Sequence, residues 1–326
     1  MTRTILAPDA LGPTVCVGEI LVEIVATTIG EGFREAQPLI GPFPSGAPAI
    51  FIDQCGRIGG GAAMIGAVGD DDFGRVNLDR LRRDGVDVSG VAVDPDFPTG
   101  SAFVRYRADG SRDFVYNIAT SAAARFGWTP AVEALAGRAG HLHVMGSALA
   151  MPGAWTVIEK TADAIKARGG TLSFDPNLRK ELRTNAETEA RFARLVTMSD
   201  LLLPSGAELE RAAGVDGEAA AVARLFELGV GEIVLKRGGE GATCFQPDGT
   251  RVDTAAFAVE EIDPTGAGDC FGGAYVACRR LGEPAEAALT YACAAGARNV
   301  TARGPMEGAG TRAELDDFIA NTRRMS

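Results

Sequence analysis

Short apolar runs alternate along this chain with longer stretches in which apolar positions recur at helical spacing. Runs over 142–145, 171–174, 201–203 and 233–235 are bounded by Gly, Pro or Asp and predict buried strands. Between them, 154–168, 186–198 and 218–228 predict helices; Gly169-Gly170 and Gly229 stop the first and last of these. Strand–helix alternation over such lengths predicts an α/β protein with a mostly parallel sheet and helices on its faces. Such sheets gather ligands beyond the carboxyl ends of their strands, so the residues just after each strand are where chemistry is expected.

One stretch breaks the alternation. Segments 101–107 and 112–117 read as two strands joined by Ala108-Asp109-Gly110-Ser111, and Asp-Gly is a strong hairpin signal. Along the first strand Phe103, Arg105 and Arg107 alternate with Val104 and Tyr106. A half-exposed antiparallel hairpin is surplus to a parallel core, so it is either decoration or a flap over a site. With no repeat, low-complexity tract or long linker, residues 1–326 read as a single domain bearing a small appendage.

Composition narrows the partners. Apolar residues make up 46% and charged residues 23% of 326, enough for a sizeable core and too balanced for disorder. Lys+Arg 32 against Asp+Glu 43 leaves a net charge of −11, which repels nucleic acid and anionic membrane. The six cysteines form no Cys-x-x-Cys pair and read as free thiols of a reducing, cytoplasmic setting. His141 and His143 share one strand face without a third ligand nearby, a weak basis for metal binding. No apolar run is long enough to span a membrane, and no signal peptide is expected.

The P-loop, the dinucleotide Gly-x-Gly-x-x-Gly and the hydrolase Gly-x-Ser-x-Gly are all missing. The segment that carries chemistry is Asp263-Pro264-Thr265-Gly266-Ala267-Gly268-Asp269-Cys270-Phe271. A strand or edge is expected before it, over 257–262, and a helix after it, over 270–281. Gly266, Ala267 and Gly268 would then open the helix with bare backbone N–H groups, an anion hole at the positive end of the dipole. Asp269 falls on the first turn, where that dipole keeps a carboxylate ionised. Amides that neutralise a moving phosphoryl group, beside a carboxylate that takes a hydroxyl proton, are the parts phosphoryl transfer to an alcohol needs. The plainer reading is a glycine-rich helix start capped by an acid.

This segment resembles the C-terminal signature of the ribokinase-like, or PfkB, carbohydrate kinases. Gly66-Ala67-Val68-Gly69-Asp70-Asp71-Asp72-Phe73-Gly74 is similar to the family's N-terminal signature, and the likeness runs from Val17-Gly18-Glu19 to the region 304–310. The resemblance implies a ribokinase-like three-layer sandwich with a mostly parallel central sheet and a small β lid built from inserts near 20–50 and 98–120. It implies ATP and Mg2+, allows a monovalent cation, and allows two copies to pair through the lid. Carried over by residue, it makes Asp269 the catalytic base and Gly266, Ala267 and Gly268 the anion hole. Asn177 and Arg179 of Asp175-Pro176-Asn177-Leu178-Arg179 would face substrate and phosphates. Glu208 of Pro204-Ser205-Gly206-Ala207-Glu208 would organise the metal, although Ser205 replaces the usual Asn; a capping box between Ser205 and Glu208 serves equally well. Lys236, Gly238 and Gly241 fall in the nucleotide loop, with Thr265 and Gly304 as further nucleotide-side positions.

For the sugar, Glu23 stands where relatives usually carry an Asp, and a carboxylate can accept from two hydroxyls at once. Gly46 and Ala47 of Phe43-Pro44-Ser45-Gly46-Ala47-Pro48-Ala49 match a close-approach segment, with Ile50 in place of its Asn. Phe103, Arg105 and Tyr116 of the hairpin are the expected lid contacts. The stretch from Tyr116 to Ser121-Ala122 resembles 2-keto-3-deoxygluconate kinases, but Ile118 stands where those hold the substrate carboxylate with an Arg. That loss points to a neutral ketohexose, tagatose or fructose, phosphorylated at a terminal hydroxyl. The keto-acid and a catalytically silent sugar sensor are the alternatives.

Overall fold

The computed structural model describes residues 5–177 and 185–325. The chain opens with β1 (Thr14–Val17), buried on both sides, and then leaves the main sheet for β2 (Leu21–Ala26) and β3 (Leu39–Ser45). It returns through α1 (Ala47–Ile58), β4 (Ala62–Gly69), α2 (Asp72–Arg83) and β5 (Val86–Asp94). Asp71 caps α2 by accepting from Gly74 N at 2.7 Å, and its carboxylate also takes Thr99 N at 2.8 Å. The Asp-Asp-Asp segment thus starts a helix and pins the entry to the hairpin β6 (Gly100–Tyr106) and β7 (Arg112–Asn117).

Strand–helix alternation follows as the periodicity predicts: α3 (Pro130–Ala136), β8 (His141–Met145), α4 (Ala154–Ala167), β9 (Thr171–Asp175), α5 (Ala186–Met198) and β10 (Leu201–Leu202). Next come α6 (Glu208–Ala213), α7 (Glu218–Glu227), β11 (Glu232–Lys236), β12 (Ala242–Phe245), β13 (Arg251–Thr254), α8 (Ala267–Arg280), α9 (Ala285–Asn299) and α10 (Arg312–Asn321).

Among the described residues nine strands form the main sheet in the order β13-β12-β11-β10-β9-β8-β1-β4-β5, parallel except at one edge, where β12 runs antiparallel to both β11 and β13. One apolar cluster joins α1, α8 and α9 to one face through Phe51, Tyr275 and Leu289; a second covers the other face through Val157, Phe174 and Leu195. This is the expected three-layer α/β sandwich. The second sheet, β3-β2-β6-β7, takes its strands from within the two expected insert ranges and forms the lid.

Segment 257–262 is not a strand. Its backbone is used elsewhere: Ala258 N donates to Arg323 O at 2.8 Å and Ile262 N to Val300 O at 2.8 Å, which ties the approach to α8 to the C-terminal region. All six cysteines are buried and unbridged. His141 and His143 join a hydroxyl ladder between β8 and β9. His141 contacts Thr171 Oγ1 and Ser173 Oγ, both at 2.8 Å; His143 Nδ1 meets the same Ser173 hydroxyl at 2.7 Å. The His143 ring stacks on Phe51 at 3.5 Å. Among the described residues no helix is long and apolar enough to cross a membrane.

Candidate active site

The ends of β9 and β11, the start of α8 and the inner face of the lid enclose a cavity of about 570 Å³, the size of a small-molecule site. Its floor is the start of α8. Gly266 caps the helix at φ 81°, and a Cβ there would stand 2.3 Å from Pro305 O, so both backbone and space demand glycine. The bare turn at Gly266–Gly268 and the Asp269 carboxylate line the cavity together, as the motif predicts.

Strand β9 delivers Asp175 and, two residues on, Asn177. Asn177 Nδ2 donates to Asp269 Oδ1 at 3.1 Å, so this residue, expected to face the substrate, also holds the Asp269 carboxylate. Asp175 is fully buried and accepts from Lys236 Nζ at 2.5 Å, a bridge from the end of β9 to the end of β11. Burial disfavours the Lys236 ammonium, but Asp175, with Glu208 and Asp269 behind it, outweighs that and holds its pKa above the ordinary lysine value. The cation therefore stays charged beside Gly268.

Glu208 lines the cavity, and its Oε2 accepts from Ser205 N at 2.7 Å; the expected capping box does not form, because α6 begins at Glu208 with Ala207 as its cap and no side chain caps it. Among the described residues no cluster of three or more His, Cys, Asp or Glu side chains could hold a metal by itself. Asp175, Glu208 and Asp269 all line the same cavity, and scattered carboxylates of this kind suit an ion that keeps most of its water and phosphate ligands, as magnesium does.

Opposite the turn, Glu23 is buried and accepts from Ser45 Oγ at 3.3 Å. Gly46, at φ 108°, starts α1 with its missing Cβ facing Glu19 O at 2.5 Å, and Ala47 and Ile50 follow on the cavity wall. Glu19 and Ser147 also line the cavity and were not singled out from sequence; both follow buried strands closely, the signal that could have found them.

The lid corrects two expectations. Phe103 and Arg105 lie on its outer face: Phe103 packs edge-on against Phe33 at 6.2 Å, and Arg105 donates to Gly32 O at 2.9 Å and Glu31 O at 3.2 Å. Strand alternation is the reason, since Ala102 is the member of that stretch that reaches the cavity. The inner row comes from β7 instead, with Arg112, Phe114 and Tyr116, followed by Ile118. Tyr116 keeps its expected place and stacks on Phe114 at 5.2 Å.

Three nucleotide-side expectations fall outside this cavity. Gly238 opens a short turn, and Gly241 packs against Thr254 O where β12 begins. Gly304 donates its N–H to Asp263 Oδ2 at 3.0 Å and abuts the Phe43 ring of the lid. Thr265 is in the cavity, with its hydroxyl 3.2 Å from Tyr106 Oη and 3.0 Å from Arg112 Nη1. Arg179 lies outside the described residues.

This geometry has counterparts among known proteins. Residues 14–312 match the family model described as pfkB family carbohydrate kinase. Fructokinase-1 of Oryza sativa subsp. japonica is 32% identical over 308 residues, covering 91% of this chain and 94% of its own. The 2-dehydro-3-deoxygluconokinase of Thermoproteus tenax is 33% identical over 318 residues, covering 95% of each. A ribokinase-type protein of E. coli, solved in complex with ATP and Mg2+, superposes with a TM-score of 0.89 at 42% identity, covering 95% of this chain and 99% of its own. With the family model matched over residues 14–312 and a fructokinase 32% identical over 91% of its length, the chain belongs to the pfkB family of carbohydrate kinases.

Proposed function

We propose that this sugar kinase transfers the γ-phosphoryl group of Mg·ATP to a terminal hydroxyl of a neutral ketohexose, tagatose or fructose. The observation that carries the substrate assignment is Ile118, which lines the cavity at the position where a carboxylate-binding relative would present a guanidinium. An aliphatic side chain there leaves a substrate carboxylate unpaired and desolvated, a cost of several kcal/mol on the order of that for any buried unpaired charge. Glu23, held by Ser45, suits sugar hydroxyls, and the Phe114–Tyr116 stack offers a flat apolar face to a sugar ring.

In this reading Asp269 accepts the hydroxyl proton, Asn177 orients its carboxylate, and the amides at Gly266–Gly268 with Lys236 face the phosphates. Glu208 would hold a water of the magnesium shell, and the ion would supply charge neutralisation between the β- and γ-phosphates. The nucleotide would run from this turn along Lys236, Gly238 and Gly241 toward Gly304.

The keto-acid remains the second reading, favoured by the Thermoproteus tenax relative. ADP release from Mg·ATP with D-tagatose, D-fructose, 2-keto-3-deoxygluconate, ribose and adenosine separates the two. A ketohexose preferred by kcat/KM supports the proposal, and preference for the keto-acid rejects it.

A second copy would pair through the outer face of the lid, where Phe103 faces exposed Val115 across the hairpin and Leu39 and Ile40 lie exposed on β3. A monomer by sedimentation at micromolar concentration would rule that pairing out.

A further inference from the structure

Arg112 is the inner-row residue of the lid nearest the catalytic turn. Its Nη1 donates to Thr265 Oγ1 at 3.0 Å, one residue before the glycine that caps α8, and its guanidinium carbon lies 5.5 Å from the Phe114 ring centroid. Neighbouring Arg107 is committed to Asp113, whereas among the described residues Arg112 makes no ion pair. At about 3.3 Å per strand residue, Arg112 stands roughly 13 Å along the lid from Tyr116 and farther still from Ile118. It belongs to the phosphoryl end of the cavity and not to the end where a sugar carboxylate would sit.

We propose that Arg112 is a catalytic residue of the transfer, a lid-borne cation that engages the oxygens of the moving phosphoryl group. This rests on reading the site as that of an ATP-dependent sugar kinase. As the sugar hydroxyl oxygen bonds to the γ-phosphorus, the bond from that phosphorus to the bridging oxygen breaks. The electron pair of the broken bond leaves with ADP, and the hydroxyl proton passes to Asp269. Throughout, charge resides on the three non-bridging oxygens. The α8 amides face them from the floor, and a guanidinium can take two of them at once from the lid. Thr265 and Phe114 fix its direction, so the fork is preorganised before the nucleotide arrives. Because the cation rides on the lid, full transition-state charge stabilisation requires the lid to be in place.

Arg112→Ala and Arg112→Lys test this, with thermal melting to establish that each folds. Arg112→Ala should lose on the order of 10²–10³ in kcat, the size of effect seen when one preorganised donor to a transition state is removed. Its KM for the ketohexose should change by less than about fivefold. Added guanidinium at millimolar concentration should restore part of the turnover, and Lys should restore less than wild type because it lacks the fork. In calorimetry, ADP with aluminium fluoride, a mimic of the flat phosphoryl group, should bind Arg112→Ala at least tenfold more weakly, with ADP alone unchanged. That measurement needs no knowledge of which sugar is used, so it stands even if the ketohexose assignment fails. Unchanged affinity for the aluminium fluoride complex would overturn the proposal. So would an Arg112→Ala enzyme with normal kcat on neutral sugars that loses only its activity toward sugar acids.

Discussion

Asn177 donates its side-chain amide to the Asp269 carboxylate at 3.1 Å from a backbone held at φ 39°. Left-handed backbone costs a non-glycine residue about 1 kcal/mol or more, and Asn tolerates it better than most. Strain at this position buys a fixed direction for the Asp269 carboxylate, the direction that the proposed transfer requires of a base.

Replacing Asn177 with Asp should set a second carboxylate against Asp269. Two acids at this separation share a proton, so the pKa of the base rises. The acidic limb of the kcat/KM profile should move up by at least about one pH unit, while Asn177→Ala should lower kcat without that shift. A pH–rate series on both variants checks it.

Asp269→Asn should fold as wild type and lose about 10²–10⁴ in turnover, the usual contribution of a general base. ADP release measured beside a melting curve separates lost chemistry from lost folding. Near-normal turnover would remove Asp269 from the mechanism.

Lys236→Met should unfold more easily by about 3–5 kcal/mol, because it strands the fully buried Asp175 carboxylate without its cation. Removing both charges in Lys236→Met/Asp175→Leu should recover much of that loss. Urea titration of the three proteins measures it, and equal destabilisation of single and double variants would show that packing, not charge, is at stake.

Tyr106 reaches from the lid to Asp263, which also accepts from Thr265 N and Gly304 N, both at 3.0 Å. Burial and that carboxylate raise the Tyr106 pKa above its ordinary value, so it stays protonated and donating. Tyr106→Phe removes a hydrogen bond to a charged acceptor, worth about 1.5–3 kcal/mol, between the lid and Asp263. The sugar KM should rise by roughly tenfold or more, with a smaller change in the ATP KM.

Stability should fall below neutral pH. Burial, together with nearby cations, depresses the pKa of both His141 and His143 well below the ordinary value, so both stay neutral in the fold. The unfolded chain protonates them below about pH 6.5. Acid thus favours unfolding. Asp53 opposes this: burial pushes its pKa up to about 7, and from there down to its unfolded value near 4 the fold retains a proton that the unfolded chain releases. The net slope should be that of about one proton, near 1.4 kcal/mol per pH unit, between pH 6 and 5. In Asp53→Asn the opposing proton is gone and the slope should steepen; melts across that range report it.

The residue pattern alone determined the alternation of strands and helices, the hairpin, and the bare glycine turn ahead of Asp269. Each is set by local physics: side-chain period, glycine at φ 81°, and an Asp-Gly turn. Family likeness pointed to Glu23, Glu208 and Lys236, which all line the one cavity. Which lid residues face that cavity depended on strand register, and the two sides of β6 could not be told apart from its mixed polar and aromatic pattern. Register with β7 sent Phe103 and Arg105 outward and put Arg112 over Thr265. The ties of Asn177 to Asp269 and of Tyr106 to Asp263 join residues 92 and 157 positions apart. Such contacts follow from how the sheet, the lid and α8 pack, and no local property of either partner encodes them.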